Sequence, residues 1–189
     1  MRGKVAVVTG AAAGIGRAIA ERLSAEGAYT LLADVDADEA ERVADDLRRS
    51  GRLAEAHRCD VSDPDDVERV MEAAEAAGGP HALVSNAGIA DAGTAEETTP
   101  DVWDHVLAVD LKGVYLCARA AIPRMQRLGG GSIVNMSSAN GTDRPRRALF
   151  CYYRAREAVR VRRSPDPEPG DGWVLGDPGE PDPHWRLNA

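Results

Sequence analysis

The sequence predicts an α/β protein built on a doubly wound parallel sheet, and three observations predict it. Short apolar runs alternate repeatedly with segments of helical period between Lys4 and Ser137. The first run ends in a glycine-rich turn, Gly10 to Gly16, which opens directly into a helical stripe. A length of 189 residues with 43% hydrophobic side chains suits one domain around one core and is too short for two.

The elements follow in order. Lys4 to Thr9 is a β-branched run; Ile15, Ala18, Ile19 and Leu23 then recur at helical spacing until Gly27 stops them. Tyr29 to Asp34 is apolar again, Ala40, Val43 and Leu47 carry the next helical stripe, and Leu53 to Asp60 is a weaker strand. Asp63 to Ala77 has an acidic first turn, with Val67, Val70, Met71 and Ala74 on one face, and His81 to Ser85 reads as a buried strand. From Pro100 to about Leu128 the spacing predicts one long amphipathic helix, carried by Val102, Val106, Leu107, Leu111, Leu116, Ile122 and Met125, and Ser132 to Ser137 is a fifth strand. Trp103 and Met125 on that helix read as core or interface.

After Ala148 the periodicity ends. Eight arginines lie between Arg144 and Arg163, and six of the eleven prolines between Pro165 and Pro183, a composition that offsets little of its ordering entropy by burial. Residues 1–150 are therefore expected to form the domain, and 151–189 an irregular tail with no domain of its own.

Composition excludes several classes of function. The net charge of −8 comes from acidic runs such as Asp34 to Glu41 and Asp60 to Glu68, which read as solvated helix faces, and without a basic stripe in the patterned region a nucleic acid is not expected as partner. Cys59, Cys117 and Cys151 are odd in number and form no CxxC pair, the pattern of small buried thiols in a reducing compartment. The histidines His57, His81, His105 and His184 share no ligand spacing, so no metal is expected. No apolar run is long enough for a bilayer, and the strand-like run begins almost at Met1, so a cytoplasmic protein without signal peptide or membrane contact is the expectation.

The chemistry begins at the glycine turn, which spaces its glycines as GxxxGxG (Gly10, Gly14, Gly16). Glycines let the backbone turn tightly and approach a pyrophosphate, whose charge then meets the free N–H groups of the following helix. Asp34, at the end of the second strand, supplies the carboxylate that would accept from a ribose 2′-hydroxyl. Together the two features favour a dinucleotide site over a structural turn.

The string TGAAAGIG, the pair Asp60-Val61, the triplet Asn86-Ala87-Gly88 and the string GSIVNMSS stand in the order found in short-chain dehydrogenases/reductases, and from Lys4 to Gly141 the chain resembles that family. The resemblance implies a Rossmann-like sheet, incomplete here, of about five strands in the order 3-2-1-4-5. It implies an oxidoreductase that passes a hydride between a nicotinamide cofactor and an alcohol or ketone. It puts Gly10, Gly14, Ile15 and Gly16 at the pyrophosphate, Asp34 at the adenosine ribose, Asp60 and Val61 beside adenine, and Asn86, Ala87 and Gly88 near the nicotinamide ribose. The acidic Asp34, with no basic residue at Ala13, implies NAD over NADP, because a carboxylate repels the extra phosphate. The family also implies a homo-oligomer that pairs the long helix with the helix carrying a catalytic tyrosine; without that partner, the stripe of Leu111, Leu116 and Ile122 is expected to be exposed.

Catalysis in the family uses a serine, a tyrosine and a lysine four residues after the tyrosine. Ser138 falls at the serine. Tyr152, with Arg156 at the lysine spacing, falls nearest the tyrosine, and the chain's only lysines are Lys4 and Lys112. Arginine can lower a tyrosine pKa, but its planar fork cannot bridge ribose hydroxyls as an ammonium does. Asp110 stands where the family usually has an asparagine. Three readings stay open: an NAD-linked oxidoreductase, a catalytically impaired dinucleotide-binding remnant, and a misfolded product of a damaged reading frame. The tail also reads as family sequence in a shifted frame: displaced by one nucleotide, the codons for Pro165 to Gly170 admit LTRSLA and those for Gly176 to Glu180 admit GIRVN. Sequencing the encoding DNA tests this; codon choices that forbid both strings would dismiss it.

Overall fold

The computed structural model describes residues 1–90 and 93–136. Five strands, β1 (Val5–Thr9), β2 (Tyr29–Asp34), β3 (Ala54–Arg58), β4 (Ala82–Ser85) and β5 (Ser132–Asn135), form one sheet in the order β3-β2-β1-β4-β5. Every pairing is parallel, as strands joined by helices must be when each crossover has the same hand. The predicted strand order is thus the observed one, and Tyr29–Asp34 coincides with the predicted run.

Alternation along the central strands distributes their side chains between two cores. Val5 and Val7 of β1, Leu31 and Ala33 of β2 and Leu83 of β4 face α3 (Pro64–Ala76) and α5 (Val114–Arg127), where they pack with Val67, Val70, Met71, Leu116 and Cys117. Val8, Leu32 and Val84 face the other way, toward α1 (Gly14–Ala25) and α2 (Ala37–Arg49), and pack with Ala20, Val43 and Leu47. All of β1 is buried, the mark of a parallel strand covered by helices on both faces.

The long amphipathic segment departs from expectation. It begins as α4 (Pro100–Leu107), widens into a π-helical turn over Ala108–Gly113, and resumes as α5. The extra residue in that turn rotates the faces that follow, so the expected exposed stripe of Leu111, Leu116 and Ile122 is not one stripe. Leu116 is buried in the core, and the exposed row is Trp103, Leu107, Leu111 and Tyr115, each four residues from the next. Met125 is core and Trp103 is exposed. Cys59 and Cys117 are free and buried, and Cys151 lies outside the described residues. Among the described residues no helix is long and apolar enough to cross a membrane.

Candidate functional site

Parallel strands bring their carboxyl ends to one edge, and β1 and β4, neighbours in the sheet but not in the chain, part there toward helices on opposite faces. A crevice at such a switch point is where this architecture binds ligands. The sequence-predicted residues Gly10 to Gly16, Asp34, Asp60, Val61 and Asn86 to Gly88 all follow, or end, strands β1 to β4 at that edge. Ser138 and Tyr152 lie outside the described residues.

The glycine turn is held in a shape that excludes side chains. Gly10 has φ of +64°, and a Cβ on it would lie 2.8 Å from the Cα of Ala87. A Cβ on Gly16 would overlap the carbonyl oxygen of Gly10. Helix α1 then starts without a cap: Ala13 at the N-cap is extended and offers no side-chain acceptor, and the first turn carries no acidic residue. Its leading N–H groups, those of Gly14, Ile15 and Gly16, have no intrahelical partner. Ile15 is 64% exposed, so the turn is open to solvent where an anion would approach.

Asp34 stands beside this turn. Its Oδ2 accepts from the Ala12 N–H at 2.9 Å and its Oδ1 from the Asp36 N–H at 3.0 Å. A carboxylate has about four acceptor positions, so both oxygens keep capacity for a vicinal diol. The acidic run from Asp34 to Glu41 therefore has a structural purpose at its first residue and is not wholly a solvated face.

The Asp60-Val61 turn is built similarly. Asp60 Oδ1 accepts from the Ser62 N–H at 2.9 Å and the Ser62 hydroxyl at 2.7 Å, and these bonds hold the Asp60 carboxyl below the usual carboxylate range. Among the described residues no donor reaches Asp60 Oδ2, and the Val61 N–H has no acceptor. A free acceptor next to a free donor matches the amino group and ring nitrogen on one edge of adenine. From the far side, Gly113 of the π-helical turn lies so close to Val61 that a Cβ would stand 2.7 Å from its Cγ2. Lys112 Nζ donates to the Ser62 carbonyl at 3.1 Å.

Asn86 joins the two sides of the crevice. Its Nδ2 donates to the carbonyls of Thr9 and Gly10, each at 3.2 Å, while the Thr9 hydroxyl accepts from the N–H groups of Asn86 and Ala87, each at 3.0 Å. The amide nitrogen is thereby committed to scaffold, and Thr9, the first residue of the TGAAAGIG string, serves as the hydroxyl that ties β1 to the Asn86 turn. The only sequence signal for it is a hydroxyl residue as the last position of a buried strand. Beyond Gly88, Asp110 Oδ1 accepts from the Ile89 N–H at 2.9 Å, an anchoring bond that needs an acceptor and that the carboxylate provides. Among the described residues, no group of three or more His, Cys, Asp or Glu side chains is placed to hold a metal.

This edge therefore offers an anion cradle, a diol acceptor and an adenine-complementary turn in series, and the fit to a dinucleotide rests on the uncapped helix and the glycines whose Cβ atoms would fill the cradle. Comparison with known proteins identifies the family. The family model described as short chain dehydrogenase matches residues 4–160. D-threitol dehydrogenase of Mycolicibacterium smegmatis is 41% identical over 141 residues, which are 74% of this chain and 54% of that protein. Meso-2,3-butanediol dehydrogenase of Serratia marcescens is 42% identical over 139 residues, 73% of this chain and 54% of that protein. This chain thus spans about half the length of these curated relatives. A crystal structure of a metagenomic short-chain oxidoreductase in complex with NADP superposes with a TM-score of 0.71 at 38% identity, covering 76% of this chain and 66% of that one. With the matched model covering most of the sequence and the sheet order in place, the chain belongs to the short-chain dehydrogenase family.

Proposed function

We infer that this chain is an oxidoreductase that transfers a hydride between NAD(H) and a small alcohol or the matching ketone. The observation that carries the reading is the uncapped N-terminus of α1 beside Asp34. In this reading Gly10, Gly14, Ile15 and Gly16 receive the pyrophosphate, Asp34 accepts from the adenosine ribose, and Asp60 and Val61 meet adenine. Asn86, Ala87 and Gly88 form the wall beside the nicotinamide ribose, with Asn86 acting through Thr9. When bound, the nicotinamide supplies the hydride chemistry. Ser138 is assigned to hydrogen-bond the substrate oxygen, and Tyr152 to exchange its proton.

NAD is preferred over NADP here because the Asp34 carboxylate, already hydrogen-bonded to the glycine turn, would face a 2′-phosphate with like charge. The NADP in the structural relative makes this a point to measure. The names of the two relatives, a threitol and a butanediol dehydrogenase, support small vicinal diols as the substrates to try first.

A second reading, a dinucleotide-binding chain with impaired turnover, is favoured by one observation. Of the chain's two lysines, Lys112 is engaged with the Ser62 carbonyl on the adenine side, and Lys4 precedes β1 at the opposite end of the sheet. Fluorescence titration with NADH and NADPH, with Asp34→Ala as control, tests the cofactor assignment, and NADPH binding more tightly than NADH would overturn the preference. Turnover of a diol panel that disappears in Tyr152→Phe supports the enzyme reading; binding without turnover supports the second.

A further inference from the structure

We propose that Asp66 is a positioning residue for adenine recognition, fixing the Asp60-Val61 turn from inside the protein. This rests on the dinucleotide reading above. Asp66 lies in the first turn of α3 and is 2% exposed, unlike its neighbour Asp65 at the surface. Its Oδ2 accepts from the backbone N–H of Asp60 at 2.9 Å and from Arg58 Nη1 at 2.9 Å, and its Oδ1 pairs with Arg69. A buried carboxylate requires such pairing.

Helix capping alone does not explain these bonds. An acidic side chain in the first turn that serves its own helix returns to the N–H of the cap residue, here Asp63. The Asp63 N–H instead donates to the Asp60 carbonyl at 3.0 Å, closing the turn, and Asp66 reaches past the cap to the N–H of Asp60 itself. Both ends of the turn are therefore held, one by its own carbonyl and the other by a side chain from below. Just before it, the Cys59 N–H donates to the Asp34 carbonyl at 2.8 Å, which ties the same turn to the residue assigned to the ribose. Held this way, Asp60 presents its Oδ2 and Val61 its N–H from a backbone anchored on both sides. Asp66 touches no ligand in this scheme; it sets the angle at which the donor and acceptor are presented.

The test uses the full chain and two probes read by calorimetry or fluorescence: ADP-ribose, which contains adenine, and reduced nicotinamide mononucleotide, which does not. Asp66→Asn keeps the shape and one acceptor oxygen, and is expected to weaken ADP-ribose by about tenfold, as loss of a charge-assisted bond does, while the mononucleotide changes by less than about twofold. Asp66→Ala is expected to weaken ADP-ribose further; if it fails to fold, the Asn variant decides alone. Unchanged ADP-ribose affinity in Asp66→Asn overturns the proposal, as does an equal loss of both probes, which would mean a general structural role. Failure of the unsubstituted chain to bind ADP-ribose overturns the dinucleotide reading itself, and is distinguishable because it appears before any substitution is made.

Discussion

The N-termini of α1 and α3 face the same edge of the sheet and are finished in opposite ways. Helix α3 has Asp63 as cap, its side chain accepting from the Asp65 N–H, then Pro64, which brings no N–H, and Asp65 and Asp66 in its first turn, so its positive dipole end is faced by carboxylates of the protein itself. Helix α1 has alanine at the cap and no acid in its first turn. Helices α2 and α4 follow the α3 pattern, with Asp36 and Thr99 as caps and acidic first turns. An N-terminus left open, where those of α2, α3 and α4 are capped, leaves free N–H groups that suit an anion from outside, which is the role proposed for α1. Finishing α1 like its neighbours should therefore trade binding for stability.

The largest expected effect breaks the comparison at this point. Ala13 already has the extended backbone of a cap, so Ala13→Asp should place a carboxylate on the free N–H groups of α1. Urea unfolding should show a gain of about 1 kcal/mol, while NADH affinity by fluorescence should fall by about 100-fold, since the new charge both occupies the cradle and repels the pyrophosphate. Retained NADH binding in a stabilised Ala13→Asp variant would mean that α1 is not the anion site.

The next effect concerns the scaffold between the two strands. Asn86→Ala removes the amide that serves the Thr9 and Gly10 carbonyls. A cost of about 2 kcal/mol in urea unfolding is expected, because part-buried carbonyls lose their donor. A cost near zero would show that water replaces the amide and that the turn is held by Thr9 alone. Smaller again is Asp63→Ala, which removes the α3 cap: a loss of about 1 kcal/mol is expected, with NADH affinity unchanged within about twofold. A large affinity loss in that variant would contradict the division between a helix end kept for ligand and one satisfied internally.

How much of this was legible in the sequence depends on how many constraints act on each residue. Strand β2 was placed to the residue because burial on both faces requires a continuous apolar run, and Asp34 ends that run abruptly. The glycine cradle was legible because close backbone approach leaves no alternative residue type at Gly10 and Gly16. The π-helical turn was not, since an added residue shifts the helical period without changing its composition, and the exposed row moved from Leu116 to Trp103, Leu107 and Tyr115 around Leu111. Asp66 was hidden for a different reason. In the sequence it is one acid within a run read as a solvated face, and only folding shows that Arg58, four residues beyond the β3 start, and Arg69, one helical turn on, converge on it. Thr9 was hidden because its partners, Asn86 and Ala87, are distant in sequence.

The smallest effect sharpens the comparison by moving to the other end of the same strand pair. At the site end β1 and β4 are joined by Thr9 and Asn86, neither of which titrates near neutrality. At the far end they are joined by a histidine: His81 Nδ1 accepts from the Val5 N–H at 3.1 Å, while the His81 N–H donates to the Val5 carbonyl at 2.8 Å. An imidazole that accepts at Nδ1 must be unprotonated there, and burial, then the charge of Lys4, lowers its pKa below the ordinary value. The folded state thus prefers the neutral ring more than the unfolded chain does. Its contribution is fully present above the unfolded value of about 6.5 and is lost as pH falls through the lower folded value. Urea midpoints measured downward from pH 7.5 should therefore decline across that window, with less than about 1 kcal/mol attributable to this group, since it is partly exposed. His81→Gln, whose side-chain oxygen can still accept from Val5, should flatten that portion of the decline. An NMR titration that places the His81 midpoint above 6.5 would reverse the sign and show that the ring is not held as an acceptor.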